Sequence, residues 1–235
     1  MSGGELLDQP ILLVGCPRIL EQELRHDLLG ALHTMAAVPD LRQSNVLQLV
    51  KDAALIILFE QAAPRDLPQI CNHLRRHTHR PLLVLLRARR EEIITEVLRE
   101  GADDCLPPNI SARELVARTR AHLRRDQEYS APGQAVLYEV GELRLDAVRH
   151  EVHVREQQVN LTPREFELLE CLAREAGRAV PRDELLTRVW GYNSGMNSRT
   201  LDVHIGRLRQ KIEREPRDPQ IVITVPGVGY KLAQS

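Results

Sequence analysis

Between Asn197 and Glu215 runs NSRTLDVHIGRLRQKIERE, a stretch whose arginines recur opposite an apolar stripe. Leu201, Ile205, Leu208 and Ile212 stand at i, i+4, i+7 and i+11, the spacing of one buried helix face. The other side presents Arg199, Val203, Gly206, Arg207, Gln210 and Arg214. Acids are sparse there: Asp202 sits on a flank, and Glu213 and Glu215 come only at the end. An anion could lie along such a face. A helix of this length fits the major groove of B-DNA, where arginine bonds guanine O6 and N7 and valine touches a thymine methyl. Glycine costs about 1 kcal/mol relative to alanine inside a helix, so Gly206 on this face points to a close approach of backbone to partner. A solvated arginine-rich helix end is the ordinary alternative, and the flanking elements decide between them.

Those elements have a definite order. LTPREFELLECLAREAG opens with Thr162 as a cap, Pro163 at the first helical position and Glu165 completing a capping box, and it ends at Gly177. A second helix spans Arg182 to Trp190 and stops at Gly191. Beyond the third helix, QIVITVPGVGYKL reads as two strands joined by a Pro226-Gly227 turn. Upstream, VLYEV, ELRLD and HEVHV alternate like short half-buried strands.

Pro10 to about Arg125 has a different rhythm. Apolar runs (ILLV, LHTMAAV, ALIILF, PLLVLL) alternate with helical patterns such as ILEQELRHDLLGAL, RDLPQICNHLRRH, REEIITEVLREG and ARELVARTRAHLRR. Continuous apolar strands separated by helices predict a doubly wound α/β domain, a five-stranded parallel sheet covered on both faces. Its functional crevice is expected at the carboxyl ends of the central strands. The polar RRDQEYSAPGQA reads as a linker, which divides the chain into residues 1–125, a linker at 126–135, and residues 136–235.

Composition bounds the rest. The chain has 235 residues, a formal charge of −1 and 43 % hydrophobic residues, enough for two domains with separate cores. Cys16, Cys71, Cys105 and Cys171 form no C-x-x-C pair and predict free thiols. Neither a membrane span nor a signal peptide is expected, which implies a cytoplasmic protein. Lysine occurs only at Lys51, Lys211 and Lys231, so arginine carries nearly all the positive charge. No cofactor is expected.

LTPREFELLECLAREAGRAVPRDELLTRVWG, SRTLDVHIGRLRQKIE and ITVPGVGYKL together resemble the winged helix-turn-helix effector domain of OmpR/PhoB-type response regulators, in order and spacing. The resemblance covers about Tyr138 to Leu232. It implies that the third helix reads the major groove, that the hairpin wing reaches the adjacent minor groove, and that GYNSGMNS faces RNA polymerase or a neighbouring subunit. Carried over by position, Arg199, Val203 and His204 fall where the family contacts bases or nearby phosphates, and Arg207 and Arg209 where it contacts the backbone. The same alignment brings Thr200, Gln210, Thr224, Gly227 and Tyr230 to the DNA. His204 also flanks the core stripe, where it would simply pack. Two departures stand out: Gly206 replaces a frequent basic residue, and Pro226 stands at the wing tip where arginine commonly enters the minor groove. Fewer charged contacts imply weaker, less salt-dependent binding per subunit.

The first half resembles a receiver domain in shape, with GADD and the helix after it matching the family's last strand and helix. Receivers hold Mg²⁺ with acids after the first strand, accept a phosphoryl group on an aspartate after the third, and use a hydroxyl after the fourth and a lysine after the fifth. Here Gly15 and Cys16, Leu86 and Pro108 take three of those places. Phe59 or Glu60 takes the acceptor place, depending on the gap chosen; Glu60 is expected as a solvated loop carboxylate, with a permanent mimic of negative charge as the alternative. The expectation is an atypical receiver that accepts no phosphate.

Family resemblance also implies a homodimer through the fourth helix, fifth strand and fifth helix, with Asp103, Asp104, Glu114, Arg118 and Arg125 at its charge-pair positions; Ile94 departs from the family by standing where a basic partner for Glu114 is usual, and with Ile93 beside it an exposed apolar pair would favour a hydrophobic dimer independent of any switch. At least one of those two isoleucines is expected to pack beneath its helix. Cys16 could sense oxidants if its pKa were depressed. His73 and His77, at i and i+4 near Cys71 and His79, have a spacing that can bind a metal, although polar-face histidines are ordinarily solvated. Together these features point to a phosphorylation-independent transcription regulator binding double-stranded promoter DNA at paired half-sites. Its alternatives are a conventional phosphorylated response regulator and a redox or ligand sensor acting through the receiver pocket.

Overall fold

The computed structural model describes residues 9–29, 34–41, 45–60, 66–88, 90–107, 109–128, 137–191 and 198–233, and the chain falls into two compact units, 1–128 and 129–235. In the first, five strands alternate with helices: β1 (Ile11–Val14), α1 (Arg18–Leu29), β2 (Met35–Val38), α2 (Val46–Asp52), β3 (Leu55–Phe59), α3 (Leu67–Arg75), β4 (Leu82–Leu85), α4 (Glu91–Arg99), β5 (Asp104–Leu106) and α5 (Ala112–Glu128). All pairings are parallel, in the order β2-β1-β3-β4-β5. Every residue of β1, β3, β4 and β5 is buried, as a sheet covered on both faces requires. The sequence patterns do not single out α2; seven residues are too few turns to display a helical period. The expected linker start, residue 126, lies inside α5, and residues 129–135 of that linker lie outside the described residues.

The second unit opens with an antiparallel sheet of β6 (Leu137–Val140), β7 (Leu143–Asp146), β8 (Glu151–Val154) and β9 (Gln157–Gln158). Then come α6 (Pro163–Arg174), β10 (Val180–Pro181), α7 (Arg182–Trp190), α8 (Ser198–Ile212), β11 (Val222–Val225) and β12 (Gly229–Leu232), with the last sheet ordered β10-β12-β11. The capping box at Thr162 and Glu165 is formed, and Gly191 ends α7 in the left-handed region at φ 80°. The four residues of the expected stripe on α8 are all buried, packed with Leu168, Leu172, Leu185, Val189 and Trp190. Gly229 is required for another reason: a Cβ there would lie 2.2 Å from the Val180 carbonyl oxygen, so only glycine lets β12 approach β10.

Glu165 does more than cap. It is fully buried; its Oε2 accepts the Thr162 N–H at 2.9 Å and the Lys211 ammonium at 2.6 Å, while Arg207 lies 3.0 Å from Oε1. One carboxylate thus ties the start of α6 to two consecutive turns of α8. Burial alone would raise its pKa, but the charges of Arg207 and Lys211, with the hydrogen bonds from Lys211 and Thr162, outweigh burial and lower it. A carboxyl whose folded pKa is depressed contributes stability that is present above its unfolded value of about 4.3 and is lost as pH falls through the folded value.

Glu165→Gln is therefore expected to destabilise the second unit by about 3 kcal/mol at pH 7, the low end for a broken buried pair, since Lys211 is partly exposed and can turn to water. Urea unfolding of variant and parent should show the gap closing toward pH 3; a gap equal at both pH values would refute the role assigned to Glu165.

Candidate functional site

Helix α8 turns Arg199, Asp202, Val203, Gly206 and Gln210 away from the core, and Arg199, Asp202 and Gln210 are exposed. A Cβ on Gly206 would meet nothing within 4 Å, so the chain itself leaves open space at that point of the face. Other expected contacts are spent inside the fold. His204 is fully buried, edge-on to Trp190 at 5.1 Å between centroids, with Nδ1 2.8 Å from the Thr200 carbonyl oxygen. Thr200 is buried beside it. Arg207, expected at the DNA backbone, is instead buried against Glu165, because a buried carboxylate needs a compensating cation more than the surface does. These three positions are corrections to the expected DNA-contact set.

The wing is a hairpin in which Val228 N–H donates to the Val225 carbonyl at 3.1 Å across Pro226 and Gly227, with Gly227 at φ 74°. Gly227 and Thr224 are exposed; Tyr230 is buried, contrary to expectation. Its hydroxyl donates to Asp202 Oδ1 at 2.6 Å and accepts from Arg182 at 3.2 Å, and Arg182 reaches the same Oδ1 at 2.6 Å. Arg209 donates to the Val222 carbonyl at 2.9 and 2.7 Å and to Thr224 Oγ1 at 2.9 Å, so it anchors β11 rather than pointing outward. Burial lowers its pKa, partly offset by Tyr230 and Glu213. Glu213, at the end of α8, accepts the backbone N–H groups of Gln220, Ile221 and Val222 at 2.8–3.1 Å and so sets where β11 begins. Sequence reasoning missed this role, since only chain reversal brings those N–H groups to the helix end.

In the first unit the carboxyl edge of the sheet carries Gly15 and Cys16 after β1, Glu60 after β3 and Leu86 after β4; Pro108, after β5, lies outside the described residues. Phe59 is the last residue of β3 and packs in the core, so Glu60 is the side chain at the edge. It is not a solvated carboxylate: it is buried, with Oε2 accepting the Arg87 N–H at 2.6 Å and Oε1 paired with Arg90 at the start of α4. Leu86 is buried too. Burial, and then the charge of Glu21, push the Cys16 thiol up to about 12, the opposite of what a reactive thiolate needs.

The surface expected to pair two copies is largely turned inward. Ile94 is 6 % exposed and packs in the core, leaving only half-buried Ile93 on that side. Asp103 is fully buried and accepts from Arg75 at 2.6 Å and from the Leu82 N–H at 2.8 Å. Buried Asp104 lies 3.4 Å from Arg118, which also pairs with exposed Glu114 at 2.7 Å one turn away. Asp103, Asp104 and Ile94 are therefore corrected to interior positions: β5 lies in a sheet covered on both faces, Asp103 just before it is held by Arg75 and the Leu82 N–H, and Ile94 is on the inner face of α4. The side chain of Arg125 and the segment 192–197 lie outside the described residues. His73 and His77 stack edge to face at 5.0 Å, and among the described residues no group of three or more His, Cys, Asp or Glu could hold a metal ion. No helix among them is long and apolar enough to cross a membrane.

A doubly wound parallel domain followed by a winged helix-turn-helix defines a two-domain regulator with a DNA-binding module. Residues 156–232 match the family described as transcriptional regulatory protein, C terminal. The sensory transduction protein RegX3 of Mycolicibacterium smegmatis is 40 % identical over 80 % of this chain and 84 % of its own length. The DNA-binding response regulator MtrA of the same organism is also 40 % identical, over 69 % of each. Among solved structures, a cysteine-to-serine mutant of RitR aligns over 97 % of this chain and all of its own at TM-score 0.71 and 27 % identity. The chain belongs to the OmpR/PhoB-type response regulators.

Two of the arginines of α8, Arg199 and Arg207, should now separate. Arg199→Ala is expected to cost about 1–3 kcal/mol on a preferred duplex with an unchanged melting temperature. Arg207→Ala should instead lower the melting temperature, because it leaves the Glu165 charge half compensated. Anisotropy titration and calorimetry on both proteins check this; equal melting and equal affinity loss would contradict the division.

Proposed function

We propose that the chain is a sequence-specific transcription regulator, not an enzyme, that binds double-stranded promoter DNA at paired half-sites as a homodimer, contacts RNA polymerase, and works in the cytoplasm without a phosphoryl switch. The observation that carries the last point is the state of Glu60. Both its oxygens are engaged, one by the Arg87 N–H and one by Arg90, inside a buried edge. A phosphoryl acceptor needs a carboxylate oxygen open to attack and a divalent cation to neutralise the transferring group. Gly15 and Cys16 offer no carboxylate for that cation, and Leu86 offers no hydroxyl. A ligand shifts a population only by its differential affinity for two states, and these residues give phosphate nothing to distinguish.

The DNA reading rests on the outer face of α8, with exposed Arg199 and Gln210 and half-buried Val203, with the wing beside it, and on family membership. For the homodimer, half-buried Ile93 and exposed Glu114 are the surface positions that support pairing through α4 and α5. The names of the relatives favour a conventional phosphorylated regulator as the second reading.

One experiment separates them. Purified without phosphodonor, the protein should be a dimer at micromolar concentration and bind a two-half-site duplex; acetyl phosphate, or beryllofluoride with Mg²⁺, should change neither its mass by light scattering nor its affinity. A monomer that dimerises only after the addition would establish the conventional reading instead.

A further inference from the structure

Three elements meet at one polar contact between the wing and the helix-turn-helix. Arg182 is the first residue of α7, Asp202 lies on the outer flank of α8, and Tyr230 belongs to β12. The tyrosine hydroxyl uses both its functions, donating to Asp202 and accepting from Arg182, while Arg182 closes the triangle on the same carboxylate oxygen. Two guanidinium groups lie within cation–π reach of the phenol ring, Arg182 at 5.6 Å and Arg209 at 5.7 Å from its centroid. Burial raises the Tyr230 pKa, and its hydrogen bond to Asp202 raises it further, so the hydroxyl keeps its proton across the physiological range. Gly229, one residue before, lets β12 approach the Val180 carbonyl more closely than any residue with a Cβ could.

Two features of this contact go beyond packing. Asp202 is about half exposed on the helix that carries Arg199 and Val203, where an uncompensated carboxylate would repel phosphate. And the triangle is the polar tie from α8 to β12, complementing the tie from Arg209 to β11. A helix in the major groove and a hairpin over the minor groove make their contacts together only if the pitch between them is held.

We infer that Tyr230, Asp202 and Arg182 are a positioning clamp that fixes the wing against the recognition helix, and so governs how sharply the protein separates one DNA sequence from another without any of the three reading a base. This rests on the proposed use of α8 and the wing at DNA. Random duplex is bound through cations alone and tolerates a loose wing; a preferred site rewards both grooves being contacted at once.

Tyr230→Phe keeps the ring beside both guanidinium groups and deletes only the hydroxyl; Asp202→Asn deletes the charge. Affinities are compared on the duplex that the parent protein selects from a randomised library and on a scrambled duplex of equal composition. Tyr230→Phe should reduce the ratio of the two affinities at least about tenfold, since it removes the hydroxyl's hydrogen bonds to both Asp202 and Arg182, with scrambled-duplex affinity unchanged. Asp202→Asn should reduce the ratio similarly, with scrambled-duplex affinity equal or higher because a negative charge is gone. The double variant should lose no more than either single one, since all three act through one contact. All ratios are read at a temperature where calorimetry shows every variant folded. An unchanged ratio in either single variant, or losses that multiply in the double variant, would overturn the clamp while leaving the DNA-binding reading intact; a parent protein that selects no sequence would overturn that reading itself.

Discussion

Glu165 satisfies two requirements of the DNA-reading unit with one buried carboxylate. Its backbone N–H and Oε2 complete the reciprocal cap with Thr162 that starts α6, and the same carboxylate receives Lys211 and Arg207 from α8. Neither a cap nor an ion pair alone would hold a helix across the core in one register. A buried charge unpaired is costly, so the conformation in which both cations reach it is strongly preferred over neighbouring rotations of α8. That rotation decides which residues face outward. With Arg207 and Lys211 drawn toward Glu165, the stripe from Leu201 to Ile212 goes into the core, and Arg199, Val203 and Gln210 are left on the outer face.

The consequence for DNA is a face with modest charge. Arg207 and Arg209 are both committed, one to Glu165 and one to the backbone of β11, and Arg182 is held by Asp202. Cations used to fix the wing and the helix are less available to neutralise an anion laid along that face. Glu213, taking three backbone N–H groups at the foot of β11, follows the same pattern: acidic groups at the end of α8 position the wing instead of repelling the duplex.

The receiver-like unit follows a related logic with a different result. Where a switch would keep polar groups in reserve, Glu60 is consumed by Arg90 and by the Arg87 N–H, which ties the end of β3 to the start of α4. Asp103 is likewise consumed by Arg75, which also bonds the carbonyls of Gly101 and Arg80. These contacts tie neighbouring strand ends and helices together at that edge of the sheet.

Periodicity and turn chemistry made the elements legible. All-apolar runs such as LIILF require a sheet buried on both faces, the Thr162 to Glu165 box starts a helix, and glycine at 191 ends one, because each depends on residues close together in the chain. That Gly15 and Cys16 follow β1 and Leu86 follows β4 was legible for the same reason, since the apolar runs locate the strand ends. The partners of the charged residues were not. Nothing local distinguishes Arg207, which goes inside, from Arg199, which stays outside, or shows that Glu60 meets Arg90 across 30 positions and Tyr230 meets Asp202 across 28. The order of residues dictates which segments are helices and strands and which of their faces are apolar. Which arginines remain on the outer face is settled in the folded chain alone, because a long charged side chain takes its place from the opposite charge that folding brings within reach, and no local pattern along the chain encodes that choice.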